Sequence, residues 1–92
     1  MARSKKMKIS ILFFAGIREM FGVHEKDIEI LESENSPYKL LSFLSEKEQG
    51  SWTKLLNAKD SIRVAINQEI CDWNDLLNDG DELAFFPPIT GG

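Results

Sequence analysis

The residues with the most chemical potential in this chain are its last ones. It closes ELAFFPPITGG, an apolar stretch that meets Pro87 and Pro88 and passes through Ile89 and Thr90 to Gly91 and Gly92. Two prolines remove two backbone donors and fix two φ angles, so strand pairing ends there and the chain leaves stiffly extended. From Pro87 to Gly92 the reach is on the order of 20 Å, enough to enter the active site of a partner docked against the domain. Glycine has no Cβ, so its backbone can thread a narrow channel and leave a terminal carbonyl open to attack from either side. A terminal carboxylate, with a pKa of roughly 3.5, is ionised at neutral pH and is a poor electrophile. Acyl chemistry at Gly92 therefore requires activation by another enzyme, most simply as an acyl-adenylate made from ATP. A terminal Gly-Gly alone is a weak signal. Two prolines, a short spacer and Gly-Gly after a closing strand form a much stronger one.

Other reactive side chains carry less. Cys71 is the only cysteine. Set within an expected strand and without a basic neighbour in sequence, it reads as a small packed hydrophobe rather than a persulfide carrier. His24 lies in a loop-like stretch beside Glu25, with no second ligand or nucleophile nearby, and reads as solvated. Asp72, Asp75, Asp79, Asp81 and Glu82 form an acidic run that either steers docking onto a basic partner or simply solvates turns. No Ser-His-acid constellation, phosphate loop, nucleotide motif or metal-ligand spacing is present. The chain is not expected to catalyse a reaction or bind a metal or cofactor by itself.

Composition narrows the classes further. Ninety-two residues with 42% apolar content make one folded domain, near the lower size limit for an unstapled core. One cysteine excludes an internal disulfide framework and fits a reducing compartment. No apolar run approaches the ~20 residues of a membrane helix, and MARSKKMKISILFF lacks the length and cleavage region of a signal peptide. A cytoplasmic location is expected. A net charge of −4 disfavours nucleic acid as a partner. Arg3, Lys5, Lys6 and Lys8 cluster at the start and read as a solvated, frayed tail.

The elements that must position the tail follow from periodicity. KISILFFA alternates Ile9, Ile11 and Phe13 against Ser10, Leu12 and Phe14, as a strand does. AGIREMFG predicts a single short helical turn between Gly16 and Gly22, and KDIEILES a second strand, antiparallel to the first, with Ile28 and Ile30 inward. Ser36-Pro37 is a helix start. Tyr38, Leu40, Leu41 and Leu44 then make an apolar stripe through about Glu48, where Gly50 stops it. Ser51 is a candidate cap for a shorter helix carrying Trp52, Leu55 and Leu56. SIRVAINQEICDW predicts two strands about a tight turn at Asn67-Gln68. Asn78-Asp79-Gly80-Asp81 marks a turn before the closing strand ELAFF. The order predicts an α+β domain whose mixed sheet is packed by a helix on one face. Segments are expected at 1–6 (flexible basic N-terminus), 7–86 (domain) and 87–92 (extended reactive tail).

Those strands have two apolar faces. Leu12 and Phe14 lie opposite the core side of the first strand, and Ala84 and Phe86 lie opposite Leu83 and Phe85 on the last. Either these residues form an exposed binding patch, or a loop or the second helix covers them.

Three stretches carry a family resemblance: ILFFAGIRE, VAINQEICDW and NDGDELAFFPPITGG. Together they resemble MoaD-type ubiquitin-like sulfur carriers, the small subunits of molybdopterin synthase, over nearly the whole chain from Met7. Thiamine-type carriers share the Gly-Gly end but usually lack the double proline. The residues before Met7 and the stretch ESENSPY match nothing in the pattern. The resemblance implies a ubiquitin-like β-grasp fold with an extended C-terminal Gly-Gly tail and a thiocarboxylate at Gly92. An E1-like adenylyltransferase would use ATP to adenylate Gly92, and a persulfide sulfur would replace AMP. The tail, Pro87, Pro88, Ile89, Thr90 and Gly91, would then insert into the large synthase subunit of a heterotetramer. Sulfur would pass there to cyclic pyranopterin monophosphate, building the dithiolene of molybdopterin. By position, Phe14, Ile70 and Phe86 match the family's apolar docking surface. The competing readings are a protein modifier that joins the same activated glycine to lysines, a carrier for thiamine or tRNA thiolation, and an inert ubiquitin-like binding module.

Overall fold

The computed structural model describes residues 5–87. Strand β1 (Lys6–Phe13) runs into helix α1 (Ala15–Phe21), and β2 (Glu25–Leu31) returns antiparallel to β1. The α1 segment is a full seven-residue helix rather than the single turn expected from its length between glycines; Gly22, at φ 77°, ends it in the left-handed conformation that glycine adopts cheaply. Lys6 and Lys8 are strand residues rather than part of a frayed tail. Lys6 pairs with Leu31, its Nζ lies 3.6 Å from Glu29, and the Lys5 carbonyl accepts from Glu32 N at 2.8 Å.

A 3-10 turn at Glu32–Glu34 leads to α2 (Pro37–Glu48). Ser36 caps it, accepting from Lys39 N at 3.2 Å, and Pro37 occupies the first helical position, where a missing N–H costs nothing. Leu40, Leu41 and Leu44 are buried, as the stripe predicts. Tyr38 is not part of it. It is 43% exposed, because it stands at the helix start, where its ring faces the Lys59 ammonium at 5.6 Å. The chain reverses through Gln49 and Gly50, both at positive φ, into α3 (Ser51–Asn57). Gly50, not Ser51, is the capping position. The Ser51 hydroxyl is turned away to donate to the Met20 carbonyl at 2.9 Å, tying α3 to α1.

After a second 3-10 turn at Lys59–Ser61 come β3 (Arg63–Ile66), β4 (Glu69–Cys71) and β5 (Glu82–Phe86). The sheet order is β2-β1-β5-β3-β4, with β1 and β5 parallel at the centre and every other pair antiparallel. This is the mixed sheet of a β-grasp fold. One face buries Ile9, Ile11, Phe13, Ile30, Val64, Leu83 and Phe85 against Leu40, Leu41, Leu44 and Leu55. Each such side chain contributes about 1.5–3 kcal/mol relative to exposure. Aromatic rings close one end of this core: Phe13 stacks on Phe21 at 4.1 Å and Phe21 meets Trp52 edge-on at 4.6 Å. All three helices therefore serve the same face. Among the described residues, no helix is long and apolar enough to cross a membrane.

Candidate functional site

The other face of the sheet is left uncovered by the helices. Its residues line up by strand register, not by sequence. Leu12 of β1 lies beside Ala84 of β5, Ala84 beside Ala65 of β3, and Ala65 beside Ile70 of β4, making one apolar row across four strands. Phe14 and Phe86 stand one step along, edge-on at 6.5 Å, with Phe14 N donating to the Phe85 carbonyl at 3.2 Å. The result is a groove of about 590 Å³ with Ala65 and Ala84 as its buried floor. Leu12, Ile70, Phe14 and Phe86 form its sides, and Pro87 stands at the tail end. Ile70 is 68% exposed and Phe14 46%, although both are large and apolar. Such a contiguous surface is what a partner covers.

Phe14, Ile70 and Phe86, expected to act together, are thus brought together, and Pro87 borders the same groove. Pro88, Ile89, Thr90, Gly91 and Gly92 lie outside the described residues. Ala65, which also lines the groove, was not singled out from sequence; Gln68 and Glu82, which line it too, were noted there only as a turn residue and as part of the acidic run. A signal for Ala65 was available: RVAI places a small residue opposite inward Val64, on the face shared with Ala84. Gln68 and Glu82 give the groove a polar end.

Around this surface the remaining candidates have structural roles. Cys71 is half-buried on β4; burial pushes its thiol pKa up, nearby Asp75 and Asp72 add to this, and a backbone hydrogen bond with Ile66 opposes it. A neutral thiol of this kind is a poor nucleophile. His24 is exposed, and its carbonyl accepts from Phe13 N at 3.0 Å. Asp75, Asp79 and Asp81 each accept from a backbone N–H, those of Asp72, Lys8 and Asn78, so turn geometry accounts for much of the acidic run. Among the described residues no three His, Cys, Asp or Glu side chains gather as a metal site.

The chain has known relatives. A family model described as the ThiS family matches residues 11–92. The chain belongs to the ThiS family. A relative within reach of this family assignment, the molybdopterin synthase sulfur carrier subunit of Haemophilus influenzae, is 36% identical over 91% of this chain and 99% of its own length. Among solved structures, the putative molybdopterin converting factor subunit 1 of Pyrococcus furiosus superposes with a TM-score of 0.71 at 25% identity, covering 90% of this chain and 99% of that one. A chain from the complex of subunits 1 and 2 of molybdopterin-converting factor of Helicobacter pylori gives 0.61 at 29% identity, covering 94% and 100%. The resemblance carried by ILFFAGIRE, VAINQEICDW and FFPPITGG therefore extends over the ThiS-family chain as a whole, including its β-grasp sheet.

Proposed function

We propose that this ThiS-family protein is the sulfur carrier subunit of a molybdopterin synthase, and that its groove docks the large subunit while its tail reaches that subunit's active site. One observation carries the reading: the exposed apolar row on the helix-free face ends at Phe86 and Pro87, where β5 hands over to PPITGG. Docking and delivery are then parts of one geometry. Phe14, Ile70 and Phe86 bury apolar area against the partner, at roughly 25 cal/mol per Å² removed from water. Pro87 and Pro88 hold the exit direction, Ile89, Thr90 and Gly91 thread the channel, and Gly92 carries the reacting group.

The chemistry proceeds at the Gly92 carboxyl. An E1-like adenylyltransferase joins it to AMP from ATP with release of pyrophosphate, which makes the carbonyl carbon electrophilic. The terminal sulfur of a persulfide attacks that carbon and displaces AMP, giving an acyl disulfide. A second thiol then cleaves the S–S bond, supplying the two electrons, and leaves a thiocarboxylate on Gly92 and a disulfide on the donor side. In the large subunit the thiocarboxylate sulfur attacks a carbon of cyclic pyranopterin monophosphate and displaces an oxygen substituent there. Water then hydrolyses the acyl–sulfur bond, leaving the sulfur on the pterin and a carboxylate at Gly92. This chain supplies the carrier carboxyl and the docking surface, and no acid or base of its own. Its working place is the cytoplasm, with its activating enzyme.

Intact mass spectrometry after incubation with ATP, an E1-like enzyme, a persulfide donor and a thiol reductant tests the reading. Exchange of one oxygen for one sulfur at the C-terminal peptide is expected, followed by molybdopterin formation when the large subunit and cyclic pyranopterin monophosphate are added. Isopeptide-linked lysines without a thiocarboxylate would favour a modifier instead, and no change at Gly92 would leave only a binding module.

A further inference from the structure

The turn between β3 and β4 is tied to β5 in an unusual way. Asn67 and Gln68 both adopt positive φ, 51° and 71°, as the two central residues of a tight hairpin turn of the I′ kind do. Antiparallel pairing of β3 with β5 runs as far as Ile66 opposite Leu83. One residue on, Asn67 N donates to the Glu82 carbonyl at 2.8 Å, as a ladder requires. The return bond does not go to the Asn67 main chain. Glu82 N donates to the Asn67 side-chain Oδ1 at 3.0 Å. At positive φ the chain has turned away from β5, so the amide side chain stands in for a strand carbonyl.

The other half of that amide is also engaged. Asn67 Nδ2 donates to Asp81 Oδ1 at 2.9 Å, while Asp81 Oδ2 accepts from Asn78 N at 2.8 Å and the Asp81 carbonyl accepts from Ser10 N at 3.0 Å. One side chain thus links the β3–β4 turn to β5, to the 78–81 turn and, through it, to β1. The side-chain bonds among these are exposed, so each contributes little to stability against competing water. What they fix is position. β4 is three residues long and lies at the sheet edge, with a neighbour on one side only. Yet the β3–β4 hairpin contributes Gln68 and Ile70 to the groove, and Glu82 borders the same groove.

We propose that Asn67 is a positioning residue for partner docking: its amide completes the β3–β5 ladder, and so holds Gln68 and Ile70 over the groove and Glu82 at its polar rim. The inference rests on the docking reading above. Gln68 keeps a side chain at a left-handed position where glycine costs less, as expected if that side chain is needed on the surface.

The test measures affinity of the full chain for the large subunit of molybdopterin synthase by calorimetry, with thermal melts alongside. Asn67→Gly keeps the positive φ and removes only the amide. It should melt near the parent yet bind about tenfold more weakly, as loss of preorganisation does. The double variant Asn67→Asp with Asp81→Asn exchanges donor and acceptor while keeping an acceptor for Glu82 N. It should recover affinity to within about threefold of the parent, a rescue that a merely stabilising role does not predict. Ile70→Asp reports on the groove itself. If Ile70→Asp binds weakly but folded Asn67→Gly binds like the parent, the positioning role is overturned and the groove stands. If the double variant is as weak as Asn67→Gly, the role is likewise overturned. If Ile70→Asp binds like the parent, both the docking reading and this inference fall. Should Asn67→Gly not fold, Asn67→Asp alone takes its place; it keeps the acceptor, faces Asp81 with like charge and should bind more weakly than the double variant, and equal binding overturns the role.

Discussion

At Ile70 a large apolar side chain is 68% exposed on an edge strand, so the fold has little to lose there and a docked partner has much. Ile70→Asp should melt within a few degrees of the parent and lose 100-fold or more in affinity for the large subunit, because an unpaired carboxylate in an apolar interface costs several kcal/mol. Calorimetry with the two purified subunits measures it. Phe86→Asp should weaken binding similarly but also lower the melting temperature, since Phe86 is half-buried and packs edge-on against Phe14. Cys71 behaves in the opposite way. Its thiol pKa is raised, chiefly by burial and then by Asp75, so the thiol stays neutral at pH 7. Because the folded value lies above the unfolded one, the neutral thiol's contribution to stability is complete below the ordinary thiol pKa and is lost as pH rises through the folded value. Alkylation by iodoacetamide should accordingly be slow at neutral pH and accelerate only at a pH above the ordinary thiol range. Cys71→Ser should still load sulfur at Gly92, and a well-folded variant unable to do so would make Cys71 a relay.

Two elements bear on the site, one from behind the sheet and one at its rim. Helix α2 supplies the core against which β1 and β5 are pressed, and Ser36 starts it with a buried hydroxyl that accepts from Lys39 N. Ser36→Ala should cost about 1 kcal/mol in urea unfolding, the usual loss of an N-cap, with affinity for the large subunit unchanged. The β3–β4 turn presents the reverse trade. Gln68→Gly relieves a left-handed conformation at φ 71° and should gain up to about 1 kcal/mol. It also removes a side chain from the groove, so binding should weaken as stability rises. A variant that is both more stable and equally tight would show that Gln68 adds nothing to docking.

For the molecule as a whole, the proposed function assigns folding and delivery to different parts. The last ladder pair of β5 is Phe86 with Arg63, and Pro87 has no N–H to extend it. Deleting Gly92, or adding one residue after it, should therefore leave the thermal melt unchanged. Sulfur delivery should fail, because one residue moves the carbonyl by about 3.3 Å, and misplacement of roughly 1 Å already costs on the order of 100-fold in rate. Melting curves and a molybdopterin assay on the same variants separate the two effects. A truncated chain that still delivers sulfur would contradict the carrier reading.

What could be read from the sequence was local. Alternation identified the inward residues of β1 and β5, Ser36-Pro37 located the start of α2, and Asn67-Gln68 and the 78–81 stretch marked real turns, because a two-residue or 3.6-residue period and a turn's φ demands act over a few neighbouring residues. The grouping of Phe14, Ile70 and Phe86 came from family resemblance, not from spacing. The exposure of Tyr38, the role of Ser51 toward α1 and the burial of Leu77, whose N–H bonds to the Asn35 carbonyl, depended on which segments meet, and local pattern carries no such information. The groove belongs to that second class. Whether the helices would leave Leu12, Phe14 and Phe86 bare was undetermined until α1, α2 and α3 were seen on one face. Only the parallel pairing of β1 with β5, and the register that sets Ala65 and Ala84 side by side, turns residues from both ends of the chain into one continuous surface. Register is chosen by the burial of the opposite face: a one-residue slip would expose Phe13 and Phe85 and send Phe14 and Phe86 into the core.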